Sequence, residues 1–359
     1  MKKIVSLLLL LVSFCQLSRA QNITPPEAVE YAKQGMKLFD EGKYSEAIVL
    51  YKKGKALAPS NSLFSYEIAL SYFMNKDYLP CIETLDSVIG NQDANEQFYQ
   101  LLGDSYDETG KPDTALIIYK KGMQKFPTAA GLSMESGVIE YTRKNYAAAQ
   151  EHWITGVSMN PSYPENYYHL AKFYADSSNR IPAILFSETY LNLTRNTAQV
   201  AEINKLFCTL FTKSIQIMND STLILLFSDN NSGQSKSNDS VEDFCDALNN
   251  TMTITGELLK DKKMKAGVDA VIKVRETIIK TWFEQKYNLR FPFSLFNFEK
   301  QIIEAGHFNS YSQWLLMKCN VFEFQRWVNE NKKKYTDFVD WYKKNPIVIK
   351  QVQEFNNCR

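Results

Sequence analysis

EQFYQLLGDSYDETGKPDTALIIYKKGMQKFPTA, residues 96–129, decides the fold. It carries a small residue at Gly103, a turn at Thr109-Gly110-Lys111-Pro112, a second small residue at Ala115, a bulky one at Tyr119 and a stop at Pro127. These marks recur in both directions at a period of 34 residues: Gly35, Ala69, Gly103, Gly137 and Ala171 form one small column, and Ala47, Cys81, Ala115, Ala149 and Ala183 a second. Tyr51, Leu85, Tyr119 and Trp153 form a bulky column. Pro59, Pro127 and Pro161 form a fourth, broken by Asp93 and lost at Arg195. A fixed period near this length marks an array of supersecondary units.

The columns describe paired helices. A small residue on the first helix lets the second cross close by, and the second small residue answers it from the facing helix. Between them lie turn residues: Glu41-Gly42-Lys43, Asn75-Lys76-Asp77, the turn before Pro112, and Arg143-Lys144-Asn145. The closing proline stops the second helix because it lacks an N–H and clashes with the preceding turn. Ser60, Thr128 and Ser162 follow those prolines and are expected to cap the next helix.

On these residues the chain resembles the tetratricopeptide-repeat (TPR) family. Tyr31, Gly35, Ala47, Tyr51 and Pro59 follow the family pattern in the first unit; Tyr99, Gly103, Tyr106, Ala115, Tyr119 and Pro127 follow it in the third. The units are 28–61, 62–95, 96–129, 130–163 and 164–197. The second departs at Cys81 and Asp93, and the fifth is weakest, with Ser187 in the bulky column. The resemblance implies an all-α fold: a right-handed helix-pair solenoid over residues 28–197, followed by a helical C-terminal part. It specifies no function, because this fold carries many unrelated partners.

In such arrays the first helices line a concave face. By repeat register, that face carries Met36, Phe39 and Asp40; then Tyr66, Leu70, Phe73 and Met74; then Gln100, Asp104, Asp107 and Glu108; then Met134, Val138 and Tyr141; and last Tyr168, Lys172 and Asp176. The strongest candidates for a peptide-binding groove are Met36, Phe39, Tyr66, Leu70, Phe73, Asp104, Asp107, Val138 and Tyr141. The lining is apolar and aromatic with an acidic middle, suited to a segment with apolar anchors and a basic residue. It lacks the basic-and-asparagine clamp of some TPR arrays; Ala32, Met36 and Gln100 stand in those places. The competing reading is that some of these side chains are simply core, or that the chain's own C-terminal part fills the groove.

Both ends of the chain speak to its location. Lys2 and Lys3, an apolar run Ile4–Phe14, and Ser18-Arg19-Ala20 read as a bacterial secretory signal over 1–20, cleaved after Ala20. Export to the periplasm, the cell surface or the medium is the expectation. Cys15 raises lipidation as a rival, disfavoured because Phe14 precedes it. After cleavage no apolar stretch is long enough to span a membrane. The formal charge of +1 falls to about −2 once Lys2, Lys3 and Arg19 are gone, which gives nucleic acid no bulk attraction.

Beyond the array, 198–228 reads as a capping helix over 198–218 plus a connector, with Leu223–Phe227 undecided between helix and strand. Residues 229–240 are polar and read as a loop; 241–359 reads as a helical domain of no recognised type. Helices are expected at 241–259, 262–287, 298–307, 310–318, 322–333 and 336–343. Trp314, Trp327 and Trp341 are expected in its core. Cys81, Cys208, Cys245, Cys319 and Cys358 survive cleavage. They leave two readings open: free buried thiols, or a disulfide within the C-terminal part.

No constellation for catalysis, cofactor or metal stands out. His152 and His169 read as surface or packing residues. Glu304 and His307 form half of a carboxylate-bridged metal motif without its second copy. A Cys319–His307 pair has no local support, and Lys332-Lys333-Lys334 reads as a solvated face among acids. The sequence points to a protein- or peptide-binding scaffold of the bacterial envelope. The alternatives are an enzyme with an unrecognised site in 241–359 and a structural subunit of an envelope complex. Oligomeric state is not encoded in any readable pattern.

Overall fold

A computed structural model describes residues 24–177, 179–194, 198–218, 222–227, 243–260 and 262–350. The signal-like segment with Cys15, the polar stretch 229–240, Arg195 and Cys358 lie outside the described residues. The fold is all-α apart from one small hairpin. Five helix pairs come first: α1 Pro26–Asp40 and α2 Tyr44–Leu57; α3 Ser62–Met74 and α4 Tyr78–Asp86; α5 Glu96–Glu108 and α6 Pro112–Lys125; α7 Ala130–Thr142 and α8 Tyr146–Met159; α9 Pro164–Tyr174 and α10 Ile181–Leu193. Then come α11 Ala198–Ser214, β1 Ile215–Met218, β2 Thr222–Leu225, α12 Phe244–Leu259, α13 Val268–Glu284, α14 Tyr287–Arg290, α15 Ser294–Glu304, α16 Phe308–Leu315, α17 Val321–Glu330 and α18 Lys332–Lys344. The chain divides into two compact units, one ending at Phe126 and the other beginning at Pro127.

In the first unit, each turn between paired helices is closed the same way. Gly42, Lys76 and Gly110 sit in the left-handed region. Gly42 N–H donates to Phe39 O (2.9 Å) and Lys43 N–H to Leu38 O (2.8 Å), the two reversed bonds of a Schellman ending. The same pair recurs at Lys76/Asp77 and Gly110/Lys111, and in the second unit at Lys144/Asn145. Glycine takes this conformation without a Cβ penalty. The lysines take it at some cost, offset by the two carbonyls the motif satisfies.

Helix starts differ from expectation. The residue capping α3 is Asn61, whose Oδ1 accepts from Leu63 N–H (3.0 Å), rather than Ser60. Asn95 caps α5 likewise, through Gln97 N–H (2.9 Å). Ala129 and Tyr163 precede α7 and α9 with no side-chain cap, so Thr128 and Ser162 do not serve there. Asp93, which replaces the proline, accepts from Ser62 N–H (2.7 Å) and so satisfies the start of α3.

The small and bulky columns meet as the spacing requires, and their sizes are matched. A Cβ on Gly35 would lie 2.7 Å from the Tyr51 ring, and one on Gly103 2.6 Å from Cδ1 of Tyr119. Gly137 faces Trp153 in the same way. Where the small residue is Ala, the bulky column holds something slighter: Leu85 with Ala69, Ser187 with Ala171. Between repeats, Gly54 receives the Phe64 ring, and Gly156 receives Asn166.

In the second unit, α10 is buried on every side, from Ile181 through Asn192. A helix without a polar face needs cover all round. It receives that cover from α11, α13, α15 and α16, whose side chains share its core. Helix α11 stops at Ser214, short of the expected 218, because Ile215–Met218 pairs antiparallel with Thr222–Leu225. That pairing resolves the undecided run at Leu223 as strand. Arg180 ties the hairpin to the start of α10: its N–H donates to Phe227 O and its Nη1 to Leu226 O, both 2.8 Å. Helix α13 begins at Val268, later than expected, after Gly267 at φ +143.

The cysteines follow the disulfide reading. Cys208 of α11 is bonded to Cys319, just before α17, with Cα atoms 5.4 Å apart. Cys245 is also disulfide-bonded. Cys81 alone among the described cysteines is a free thiol, fully buried; it accepts from the Ser105 hydroxyl (3.1 Å), and burial pushes it up to about 11. Cys319 is therefore no partner of His307, which packs instead on Trp341.

Candidate peptide-binding surface

In the first unit the candidate residues come from α1, α3 and α5. Phe39 stands edge-on to Tyr44 (ring centroids 5.2 Å), and Phe73 to Tyr78 (5.4 Å). Both phenylalanines are half-buried against the core. In the second unit Tyr141 makes the same contact with Tyr146 (5.3 Å). Aromatic residues five apart, across the turn, thus recur at the repeat period. The third repeat replaces the pair with Asp107 and Pro112. The sequence reading missed this column, although the spacing was there to be counted. In these three repeats the rings clamp the turn end of the helix pair first, and only their outer edges remain for a ligand.

Leu70 lies within the core at 7% exposed. Tyr66 packs on Phe98 (5.0 Å) and stays half-buried, as does Met36. Asp104 accepts from the Tyr119 hydroxyl (2.6 Å), so this groove acid also anchors the ring that fills the small column. Val138 and Tyr141 belong to the second unit; Val138 is half-buried, whereas Tyr141 is 48% exposed and leans on Trp153 (5.8 Å).

The residue overlooked on this face is Glu67. Burial pushes its carboxyl up to about 7. Its charge and that of Asp40 help to raise the pKa of the Tyr51 hydroxyl, an effect secondary to burial. Glu67, like Asp104, likewise acts on Tyr66. No cation of the described chain pairs with Glu67. Glu67 stands sixteen residues after the bulky-column ring Tyr51, whose hydroxyl feels its charge. In the second unit His169 stacks on Trp153 from the same place (5.1 Å), and burial drives its pKa down to about 4.

The second unit holds a different polar group, deep inside. Arg275 of α13 donates through Nη1 to Ser312 Oγ (2.6 Å) and through Nη2 to Glu299 (2.7 Å) and to Glu188. Tyr311 donates to Glu188 (2.7 Å), Asn192 to Tyr311 (2.8 Å), and Tyr342 to Asn192 (2.7 Å). Burial works against the Arg275 charge, but Glu188 and Glu299 outweigh it and raise its pKa. Burial, then the charge of Glu188, lifts Glu299 well above the carboxylate range. The adjoining cavity has 30 Å³ of room for the centres of water molecules, and Ile184, Met252 and Phe296 are among its walls. That admits about two waters. The network is closed, every member bonded to another, and its chemistry is that of a buried structural clasp.

No protein-family profile matches the chain, and no curated protein matches it in sequence. Solved structures resemble it over about half its length. TTC0263, a thermophilic TPR protein of Thermus thermophilus, is 17% identical with a TM-score of 0.41, covering 50% of this chain and 98% of its own. PilF of Pseudomonas aeruginosa is 15% identical with a TM-score of 0.43, covering 52% and 84%. MamA from Desulfovibrio magneticus RS-1 is 14% identical with a TM-score of 0.38, covering 47% and 96%. Likeness at this level carries nothing about what the surface binds.

Proposed function

We propose that the chain is an exported binding scaffold of the bacterial envelope that holds an extended segment of a partner protein along the first helices of its N-terminal repeats, α1, α3 and α5. The observation that carries the reading is on α1 and α3: half-exposed Met36, Tyr66 and Phe73 stand beside Asp40 and Glu67, acids that the described chain leaves without a cation. Apolar anchors flanking uncompensated charge suit a peptide rather than water. Export is supported by the signal-like N-terminus and by the three disulfide-bonded cysteines of the second unit, Cys208, Cys245 and Cys319, since such bonds persist in oxidising compartments.

The test is selection of a random displayed dodecapeptide library on the whole mature chain, followed by amide hydrogen exchange with the selected peptides. Protection confined to α1, α3 and α5 is expected. Protection on the second helices or within 243–350, or failure to select any peptide, would overturn the reading.

A further inference from the structure

The Tyr51 hydroxyl is buried and has no hydrogen-bond partner, in a residue that is 1% exposed. Such an orphan is rare and costly in a native protein. The third repeat shows what is missing. There the equivalent Tyr119 hydroxyl donates to Asp104, which stands fifteen residues earlier. Fifteen residues before Tyr51 stands Met36, which has nothing to accept with. Where the third repeat completes its own pair, the first leaves the Tyr51 hydroxyl unpaired, within the electrostatic influence of Glu67 of the next repeat.

The surroundings fix the chemistry of what would fill it. Glu67 carries no hydrogen bond or ion pair from its side chain, and exposed Asp40 adds a second negative charge near the same hydroxyl. The site wants a donor bearing positive charge. A lysine ammonium or arginine guanidinium can donate to Glu67 and to Tyr51 Oη at once, while the tyrosine proton turns to the carboxylate. Met36 supplies an apolar wall for the aliphatic stem of such a side chain. We propose that the first two repeats form a specificity pocket for one basic side chain of the bound segment, seated between the Glu67 carboxylate and the Tyr51 hydroxyl. This rests on the peptide-scaffold reading above.

The experiment uses the mature chain and peptides selected from the random library. The selected sequences are expected to share a lysine or arginine at fixed spacing from apolar residues. Replacing that residue by norleucine, or Glu67 by Gln, is expected to weaken binding at least tenfold. Tyr51→Phe removes the orphan without removing the ring, so it is expected to raise the melting temperature while weakening the basic peptides. Met36→Lys offers an internal cation to Glu67 and is expected to block them. The pH profile separates a direct role from a structural one. The groups sharing electrostatic contacts with Glu67 and its neighbours are Tyr51 of α2, Asp40 of α1, Tyr66 on α3 itself, Cys81 of α4 and Asp104 of α5. Burial pushes Glu67 up to about 7, so binding should strengthen about tenfold from pH 6 to pH 8, and Glu67→Gln should flatten the profile. Selected peptides without a basic residue, or equal binding by wild type, Glu67→Gln and Met36→Lys, would overturn the pocket and leave the scaffold standing. Selection of no peptide at all would overturn both.

Discussion

Replacing Gly103 by Ala tests the size-matching that builds the repeats, because two opposing effects meet there. Alanine favours a helix over glycine by about 1 kcal/mol. Against this, the new Cβ would stand 2.6 Å from Cδ1 and 2.7 Å from Cζ of Tyr119, well inside the 3.4 Å of ordinary contact. The ring has to retreat by close to an ångström. It is not free to do so, since its hydroxyl is held to Asp104 at 2.6 Å and the ring is only 1% exposed. Overpacking of this kind costs about 1–3 kcal/mol, and a hydrogen bond to a charged group is worth about 1.5–3 kcal/mol. The net expectation is a loss of about 2–4 kcal/mol, taking these together with the helix gain. The second half of a cycle is Tyr119→Leu, and the double variant recreates the Ala69/Leu85 pairing of the neighbouring repeat. It should recover a coupling of about 1–3 kcal/mol relative to the sum of the singles. Denaturant titration, read through hydrogen exchange of amides in α5 and α6, isolates this unit. If Gly103→Ala proves as stable as wild type, helix propensity outweighs the clash and the account of the columns is wrong.

Two expectations concern the second unit. Glu299 is raised far above its unfolded value of 4.5, so folding holds a proton that the unfolded chain releases above that value; stability is full below about pH 4.5 and falls as pH rises toward the folded pKa, by up to about 1.4 kcal/mol per pH unit. Glu299→Gln should flatten that slope in pH-dependent urea titrations, whereas Arg275→Met, which strands Glu188, should cost about 3–5 kcal/mol; an unchanged slope in the first variant would contradict the upward shift of Glu299. Reduction of the Cys208–Cys319 bond, which spans 111 residues, should lower stability by about 4–5 kcal/mol on the chain-entropy account. A Cys208→Ala/Cys319→Ala variant with unchanged midpoint would show that the crosslink is incidental.

The repeats were legible because their contacts are local and periodic. Gly35 meets Tyr51 and Gly103 meets Tyr119 at a spacing that any repeat preserves, and the turns at Gly42 and Gly110 announce themselves by residue type. The deeper part of the second unit was not legible, since its partners lie far apart in the chain. Glu188 and Arg275 are 87 residues apart, and Asn192 and Tyr342 are 150 apart. No period connects them. One clue was present: Glu188 is the single charge in a run from Ile181 to Leu193 that has no polar face. A lone acid on such a helix must find its cation inside. On the candidate surface, register placed Tyr66 and Asp104 on the right helices, but it took packing to show that Phe39 and Phe73 brace the turns and that Leu70 belongs to the core. Glu67 was missed because an acid next to an aromatic on a helix looks like an ordinary surface residue until the neighbouring repeat closes over it.

Repeat arrays usually gain and lose members by duplication, because each unit touches only the ones beside it. That freedom ends at α10. A copy inserted after the fifth repeat would inherit a helix with no water-facing side, bearing an acid whose arginine is already engaged. Such a duplicate would have nothing to cover it and no counter-charge to claim. The lineage of this protein is therefore expected to vary in repeat number ahead of the fifth unit and to keep the fifth unit and the helices around it as a single inheritance.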